Sequence, residues 1–268
     1  MLSSATAYSE DLDSPPSAVV GDYLHAIYCL SVLSDCVKAK DLASRLKSSP
    51  STVHATLARL RRDGFIEIDS NRCIALTSSG SAQAEAVIYR HNLAEYFLFL
   101  KLSIPWYQIH LHAERMEHSL TSLVTQQLAE FLGEPRICPH GSPMPGYRHL
   151  LPEKLVPLSE MNTGDVVELI MLDEALEESE DVMRHLYGSA LVPGRHVRVC
   201  TKSETMRTLA LYIEQQQQPK LCPHFEEEAC FLKLSEQTPY DSSARTMLSY
   251  EVASHILVSP VRSRRLGA

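Results

Sequence analysis

The sequence predicts a mainly α-helical chain with a smaller β part, led by a winged helix-turn-helix. Three observations predict it. Three short helical stretches and a hairpin follow one another between residues 20 and 76, two long helical stretches run from there to residue 131, and after a proline-rich stretch the pattern changes to short strands. At 268 residues, 44% of them apolar, the chain has room for two or three small domains, each with its own core.

In the first helix, 20–33, Tyr23, Leu24, Ile27, Tyr28 and Cys29 recur at helical spacing, and Ser34 and Asp35 break it. A second helix covers 37–46. Ser49-Pro50-Ser51-Thr52 then reads as a helix start, with hydroxyls to cap and a proline where its missing N–H does no harm. That third helix ends at Asp63-Gly64. Phe65-Ile66-Glu67-Ile68, a turn at Asp69-Ser70-Asn71, and Cys73-Ile74-Ala75-Leu76 make the hairpin, or wing. A long helix over 79–102 carries Val87, Leu93, Phe97 and Leu100, and after Pro105 one further helix is expected over 107–131. Prolines 135, 139, 143 and 145 make 133–146 irregular and linker-like. Strands are expected over 166–171, 188–199 and 251–261, with a polar, Gln-rich insertion near 215–218.

A net charge of −8 argues against a protein that coats nucleic acid or membrane over its whole surface. No apolar run approaches the roughly 18 residues of a membrane span, and the Ser-, Asp- and Pro-rich residues 1–17 lack the order of a secretory signal and read as a loose tail. The expected location is the cytoplasm. Seven scattered cysteines do not form a disulfide pattern, so reduced thiols are expected.

Against this acidic background, 37–62 is basic: Lys38, Lys40, Arg45, Lys47, Arg59, Arg61 and Arg62 face one acid, Asp41. Charge is concentrated where phosphate would lie. Ser49, Pro50, Ser51, Thr52 and His54 begin the third helix with groups short enough to enter a major groove. Lys38, Lys40, Ser49, Pro50, Ser51, Thr52 and Arg61 are therefore the candidate DNA contacts. The plainer reading is that the hydroxyls only cap a helix and the arginines are its solvated end; the wing beside them favours DNA.

Ligand-type residues recur at helical spacing on three helices. Glu114, Glu117 and His118 stand at i, i+3 and i+4, His91 and Glu95 are one turn apart, and Asp22 and His25 form a third pair. Carboxylates with imidazoles suit Mn2+ or Fe2+; thiolates, which would favour zinc or copper, are absent from these groups. Any one pair could be a surface salt-bridge face; the joint pattern is harder to explain that way. Cys138-Pro139-His140 and Cys222-Pro223-His224 repeat a triplet that could supply zinc ligands, but their irregular settings point to coincidence.

Together these stretches resemble the diphtheria-toxin-repressor family, which holds the iron-dependent regulators and the manganese transport regulators. The match runs from residue 20 to about 146 through Asp22-Tyr23-Leu24, Ile27-Tyr28, Arg61-Arg62-Asp63-Gly64-Phe65, Leu76-Thr77, Gly80, Arg90-His91, Leu93, Glu95, Glu114, Glu117-His118, Pro143 and Pro145-Gly146. Leu191-Val192-Pro193-Gly194 resembles the SH3-like C-terminal domain of the iron branch.

The resemblance implies a winged domain over 18–78, a helical metal-binding and dimerisation domain over 79–146, a linker over 147–154 and an SH3-like domain over 155–262 with a polar insertion around 203–243. It implies two ions per subunit, one on Asp22, His91, Glu114 and Glu117 and its neighbour on His25, Glu114, Glu117 and His118. Asp22 and Glu114 stand where the iron branch has Met and Cys, which tips the metal to Mn2+ with Fe2+ as the alternative; His25, where the manganese branch has a carboxylate, pulls the other way. An ancillary site would use His91, Glu95 and His110, completed from the acidic run Glu177, Glu178, Glu180 and Asp181, of which Glu178, Glu180 and Asp181 are the candidate ligands. The implied function is that of a homodimeric, metal-dependent repressor of metal-homeostasis genes that binds double-stranded operator DNA and is not an enzyme. The rivals are a winged-helix regulator of a non-metal signal and a dinuclear hydrolase, the latter lacking any further general base or substrate-orienting motif.

Overall fold

The computed structural model describes residues 17–214, 233 and 245–261. The tail at 1–16, the Gln-rich run at 215–218 and the Cys222-Pro223-His224 triplet lie outside the described residues. The chain divides into two compact units, one of residues 1–91 and 116–131 and one of residues 92–115 and 132–268.

The first unit opens with α1 (Ala18–Leu33), α2 (Ala39–Arg45) and α3 (Pro50–Arg62), followed by β1 (Ile66–Ile68) and β2 (Ile74–Leu76). The two strands pair antiparallel with Ile66 opposite Leu76. Leu24, Ile27, Leu42, Val53, Leu57, Leu60, Ile66 and Ile74 form a shared core. Each such side chain contributes about 2 kcal/mol on leaving water, which is what holds three short helices that would not persist alone. Phe65 closes onto the start of α4 (Ser78–Leu100): a Cβ on Gly80 would sit 1.9 Å from the Phe65 carbonyl oxygen, so only glycine allows this approach.

Two expectations are corrected in the helical part of the chain. The cysteines are not all reduced, because Cys36 and Cys73 are joined in a disulfide, with Cα atoms 5.0 Å apart. The helix expected over 107–131 is interrupted: a 3-10 turn (Trp106–Gln108) leads into α5 (Ile109–Glu117), and α6 (Ser122–Leu132) starts anew. The apolar spacing runs through the interruption, but Thr121 caps α6, its hydroxyl accepting from the Val124 N–H at 3.4 Å and its carbonyl from Thr125. Leu123, Val124 and Phe131 on α6 are exposed.

In the second unit, β3 (Val156–Pro157), β4 (Val166–Leu172), β5 (His196–Ser203), β6 (Thr208–Ile213), β7 (Arg245–Ser249) and β8 (Ile256–Pro260) form one antiparallel sheet in the order β3-β8-β4-β5-β6-β7. Val167, Leu169, Val197, Val199, Leu209, Leu211 and Val258 are buried in it. The expected strand over 188–199 begins only at His196, because α7 (Glu174–Glu177) and α8 (Glu180–Gly188) fill the connection from β4. The one over 251–261 begins at Ile256, after a helical turn (Tyr250–Ser254) that Ser249 caps. The stretch that reads as a linker is irregular but packed: Ile137, Cys138, His140 and Met144 are buried.

Among the described residues, no helix is long and apolar enough to cross a membrane.

Candidate metal centres and DNA-binding face

In the first unit Glu117 ends α5, and its buried carboxylate faces two imidazoles. Its Oε2 lies 2.6 Å from His91 Nδ1, and its Oε1 lies 3.3 Å from His118 Nε2. His118 Nε2 is also 3.2 Å from Asp22 Oδ1 on α1. Asp22, Glu117 and His118 can each offer a ligand atom within 4.8 Å of the others. His25, one turn beyond Asp22, places its ring 5.7 Å from that of His91. At Gly21 of α1 a Cβ would meet Val87 at 3.4 Å and His118 at 3.7 Å, ordinary van der Waals contacts. Asp22 and His118 are partly exposed, at 45% and 30% of their side chains, whereas His91 and Glu117 are buried. Glu114 falls in the second unit, half exposed, with Oε1 3.7 Å from His110 Nε2.

The second unit holds a cluster that is buried throughout. His110 Nδ1 lies 3.5 Å from Glu95 Oε1 and 3.1 Å from Glu177 Oε2, and His140 Nδ1 lies 3.0 Å and 2.8 Å from the same two oxygens. The far nitrogen of His140 meets the Trp106 carbonyl at 3.1 Å, and the Trp106 indole donates to the Pro139 carbonyl at 3.0 Å. A protein carbonyl at one imidazole nitrogen aims the other, as it does for metal-bound histidines. The loop carrying His140 docks on β4: Leu172 donates to the His140 carbonyl, and Gly141, at φ +94°, lies where a Cβ would be 2.1 Å from the Ile170 carbonyl oxygen. Beyond β4, Asp173 caps α7 and receives His255 Nδ1 at 2.8 Å, which fixes the turn that presents Glu177.

Electrostatics follow from this packing. Burial opposes a charge on His140, but Glu177 and Glu95 outweigh it and push its pKa up to about 10. Burial, then the same two carboxylates, hold the Cys138 thiol well above its usual range.

Within the acidic run, Glu177 is the residue at this cluster. Glu180 accepts from Gln108 at 2.9 Å and pairs with Arg184, contacts that lower its pKa, and Asp181 is exposed. Glu178 is the C-cap of α7. Glu177 stood in the expected acidic run but not among the ligands chosen from it, and His140 was not among the expected ligands. The Cys-Pro-His triplet was the available signal for His140; nothing distinguished Glu177 from its acidic neighbours.

The elements expected to read DNA are exposed where groove entry would require it. Ser49 caps α3, accepting from the Thr52 N–H at 3.2 Å, with its hydroxyl 2.8 Å from those of Ser51 and Thr52. Ser49, Pro50, Ser51, Thr52, Lys38, Lys40 and Arg61 are all exposed. So are His54, Ala55 and Ala58 on α3, where small side chains let a backbone come close to a groove wall. Arg62 donates to Asp63 at 2.9 Å, and Arg59 lies 3.6 Å from the same carboxylate.

Comparison with known proteins covers the helical part of the chain as far as residue 146. Residues 17–74 match the iron dependent repressor N-terminal DNA binding domain, and residues 77–146 match the iron dependent repressor metal binding and dimerisation domain. The iron-dependent repressor IdeR of Mycobacterium leprae is 33% identical over 189 residues, 67% of this chain and 82% of that protein. The diphtheria toxin repressor of Corynebacterium diphtheriae is 28% identical over 185 residues, 66% of this chain and 82% of that protein. In fold, the chain resembles a manganese-dependent transcriptional repressor in complex with manganese, with a TM-score of 0.70 and 24% identity over 90% of this chain and 100% of that one. The manganese regulator SloR superposes with a TM-score of 0.65 at 21% identity, over 90% of this chain and 98% of that one. With a DNA-binding domain, a metal-binding and dimerisation domain and relatives of this extent, the chain belongs to the iron-dependent repressor family.

Proposed function

We propose that the chain is a homodimeric repressor whose affinity for double-stranded operator DNA is set by Mn2+, with Fe2+ as the alternative. The observation that carries this is Glu117, buried, with one oxygen on His91 and the other on His118, which in turn meets Asp22 of the DNA-binding region. Three helices thereby converge on one carboxylate.

Asp22, His91, Glu117 and His118 would hold a first ion, with His25 beside them. Two carboxylates and two imidazoles form a nitrogen and oxygen set that suits Mn2+ or Fe2+. Glu95, His110, His140 and Glu177 would hold a second. Two buried carboxylates demand positive charge there, which in the metal-free protein is a proton on His140. A bound divalent cation supplies that charge and fixes the orientation of the side chains around it. At the first cluster it would tie α1, and so the α3 helix that shares its core, to α4 and α5; metal and operator then raise each other's affinity. Support for Mn2+ comes from the manganese-dependent structural neighbours, and for Fe2+ from the iron-dependent sequence relatives. The exposed Leu123, Val124 and Phe131 of α6 suit an interface between two copies.

The test is a mobility-shift titration against a promoter duplex selected by the manganese-loaded protein. DNA affinity should rise with Mn2+, and Glu117→Ala should abolish the rise. Binding indifferent to metal, in both proteins, would overturn the proposal.

A further inference from the structure

Cys36 lies between α1 and α2, where the helix-turn-helix begins, and Cys73 lies where the wing turns into β2. Their disulfide spans 37 residues of sequence. The closed loop contains α2, α3 and β1, and with them Lys38, Lys40, Ser49, Ser51, Thr52 and Arg61. The bond therefore encircles the elements that would read DNA.

The backbone prepares this junction without the sulfurs. Val37 and Ile74 form an isolated antiparallel bridge, with the Ile74 N–H donating to the Val37 carbonyl at 2.8 Å. The cysteines immediately precede these two residues, so after reduction the thiols stay near each other and the bond can re-form. Cys73 also closes the wing turn: its N–H donates to Asp69 Oδ1 at 2.7 Å, and its carbonyl accepts from the Asp69 N–H at 3.1 Å. A tether on Cys73 is thus felt throughout the turn. Both residues are half-buried, within reach of a small thiol, and neither is among the residues of the two metal clusters.

We infer that Cys36 and Cys73 form a reversible thiol–disulfide site that sets how firmly the wing is held against the helix-turn-helix, and with it the strength of DNA binding. The co-reactant is a low-molecular-weight thiol. One thiolate attacks a sulfur of the Cys36–Cys73 bond, forming a mixed disulfide and releasing the other cysteine as thiolate; a second thiolate then displaces the remaining cysteine. Two small thiols leave as one disulfide, the protein gains two electrons and two protons, and the reverse exchange restores the bond. The oxidised wing is already ordered for binding, so less freedom is lost on contact with DNA.

The DNA arm rests on the repressor reading; the thiol arm does not. The full-length, manganese-loaded protein is equilibrated over a series of reduced to oxidised glutathione ratios, quenched, alkylated and mapped by mass. Cys36 and Cys73 should become alkylated together, at one midpoint, and amide exchange across 65–77 should quicken over the same range. Affinity for a duplex selected by the oxidised protein should fall about threefold to tenfold on reduction, and C36S/C73S should bind as the reduced protein does at every ratio. Cysteines that stay alkylatable at all ratios, or equal DNA affinity in both forms, would overturn the inference, and the wild-type titration decides this even if C36S/C73S folds poorly. Failure of either redox form to retain any duplex would instead overturn the repressor reading, and the DNA half of the inference with it.

Discussion

The two candidate metal clusters are built from the same kinds of side chain but differ in how they meet solvent. Asp22 and His118 at the first are partly exposed, while Glu95, His110, His140 and Glu177 at the second are buried. The first is assembled from helices and the turn that ends α5; the second needs α4, α5, a docked loop and the short α7 after β4. An open cluster can exchange its ion with solution and follow metal concentration, whereas a closed one is bound up with the folding of its unit.

Breaking the closed cluster should have the largest effect on stability. His140→Ala leaves the carboxylates of Glu95 and Glu177 buried together without the protonated imidazole that faces both, and should cost about 3 kcal/mol or more of metal-free stability in denaturant unfolding. Asp22→Ala should do the reverse, leaving the unfolding midpoint within experimental error while metal affinity at the first cluster falls about 10- to 100-fold by calorimetry; equal losses of stability in the two variants would dissolve the contrast.

Titration gives a finer test. His140 is raised to about 10 from an ordinary value of 6.5, so its contribution to metal-free stability is fully present below about pH 6.5 and is lost as pH rises through about 10. Unfolding across that range should show the decline in wild type and less of it in His140→Phe. The smallest effect lies outside both clusters: Ser49→Ala removes the α3 cap and should cost about 1 kcal/mol without altering metal affinity, measured by thermal unfolding and calorimetry.

The order of helices and wing was legible because each element carries its own signal: a periodic apolar face, a Ser-Pro start at 49–50, an Asp-Gly stop at 63–64. His91, Glu117, His118 and Asp22 were legible for a related reason, since helical spacing places ligands on a face before any tertiary structure is known. Glu177 was not, because five acids between 174 and 181 look alike until Asp173 caps a four-residue helix and selects one. His140 was discounted as a coincidence in a proline-rich stretch; only docking of that stretch on β4 brings it to Glu95. The interruption at 118–121 was hidden by apolar residues that continue the helical period through it. The Cys36–Cys73 bond joins residues far apart in sequence, and no spacing announces such a pair.

Gly141 donates no ligand, yet its bare α-carbon against the Ile170 carbonyl is what lets the His140 loop seat on the sheet. In a saturation library scored by repression, position 141 would then rank alongside the ligands themselves, since every side chain displaces His140. Supplementing the medium with manganese would tell them apart: a weakened ligand set is rescued by mass action, whereas a loop that cannot close has nothing for the added ion to fill.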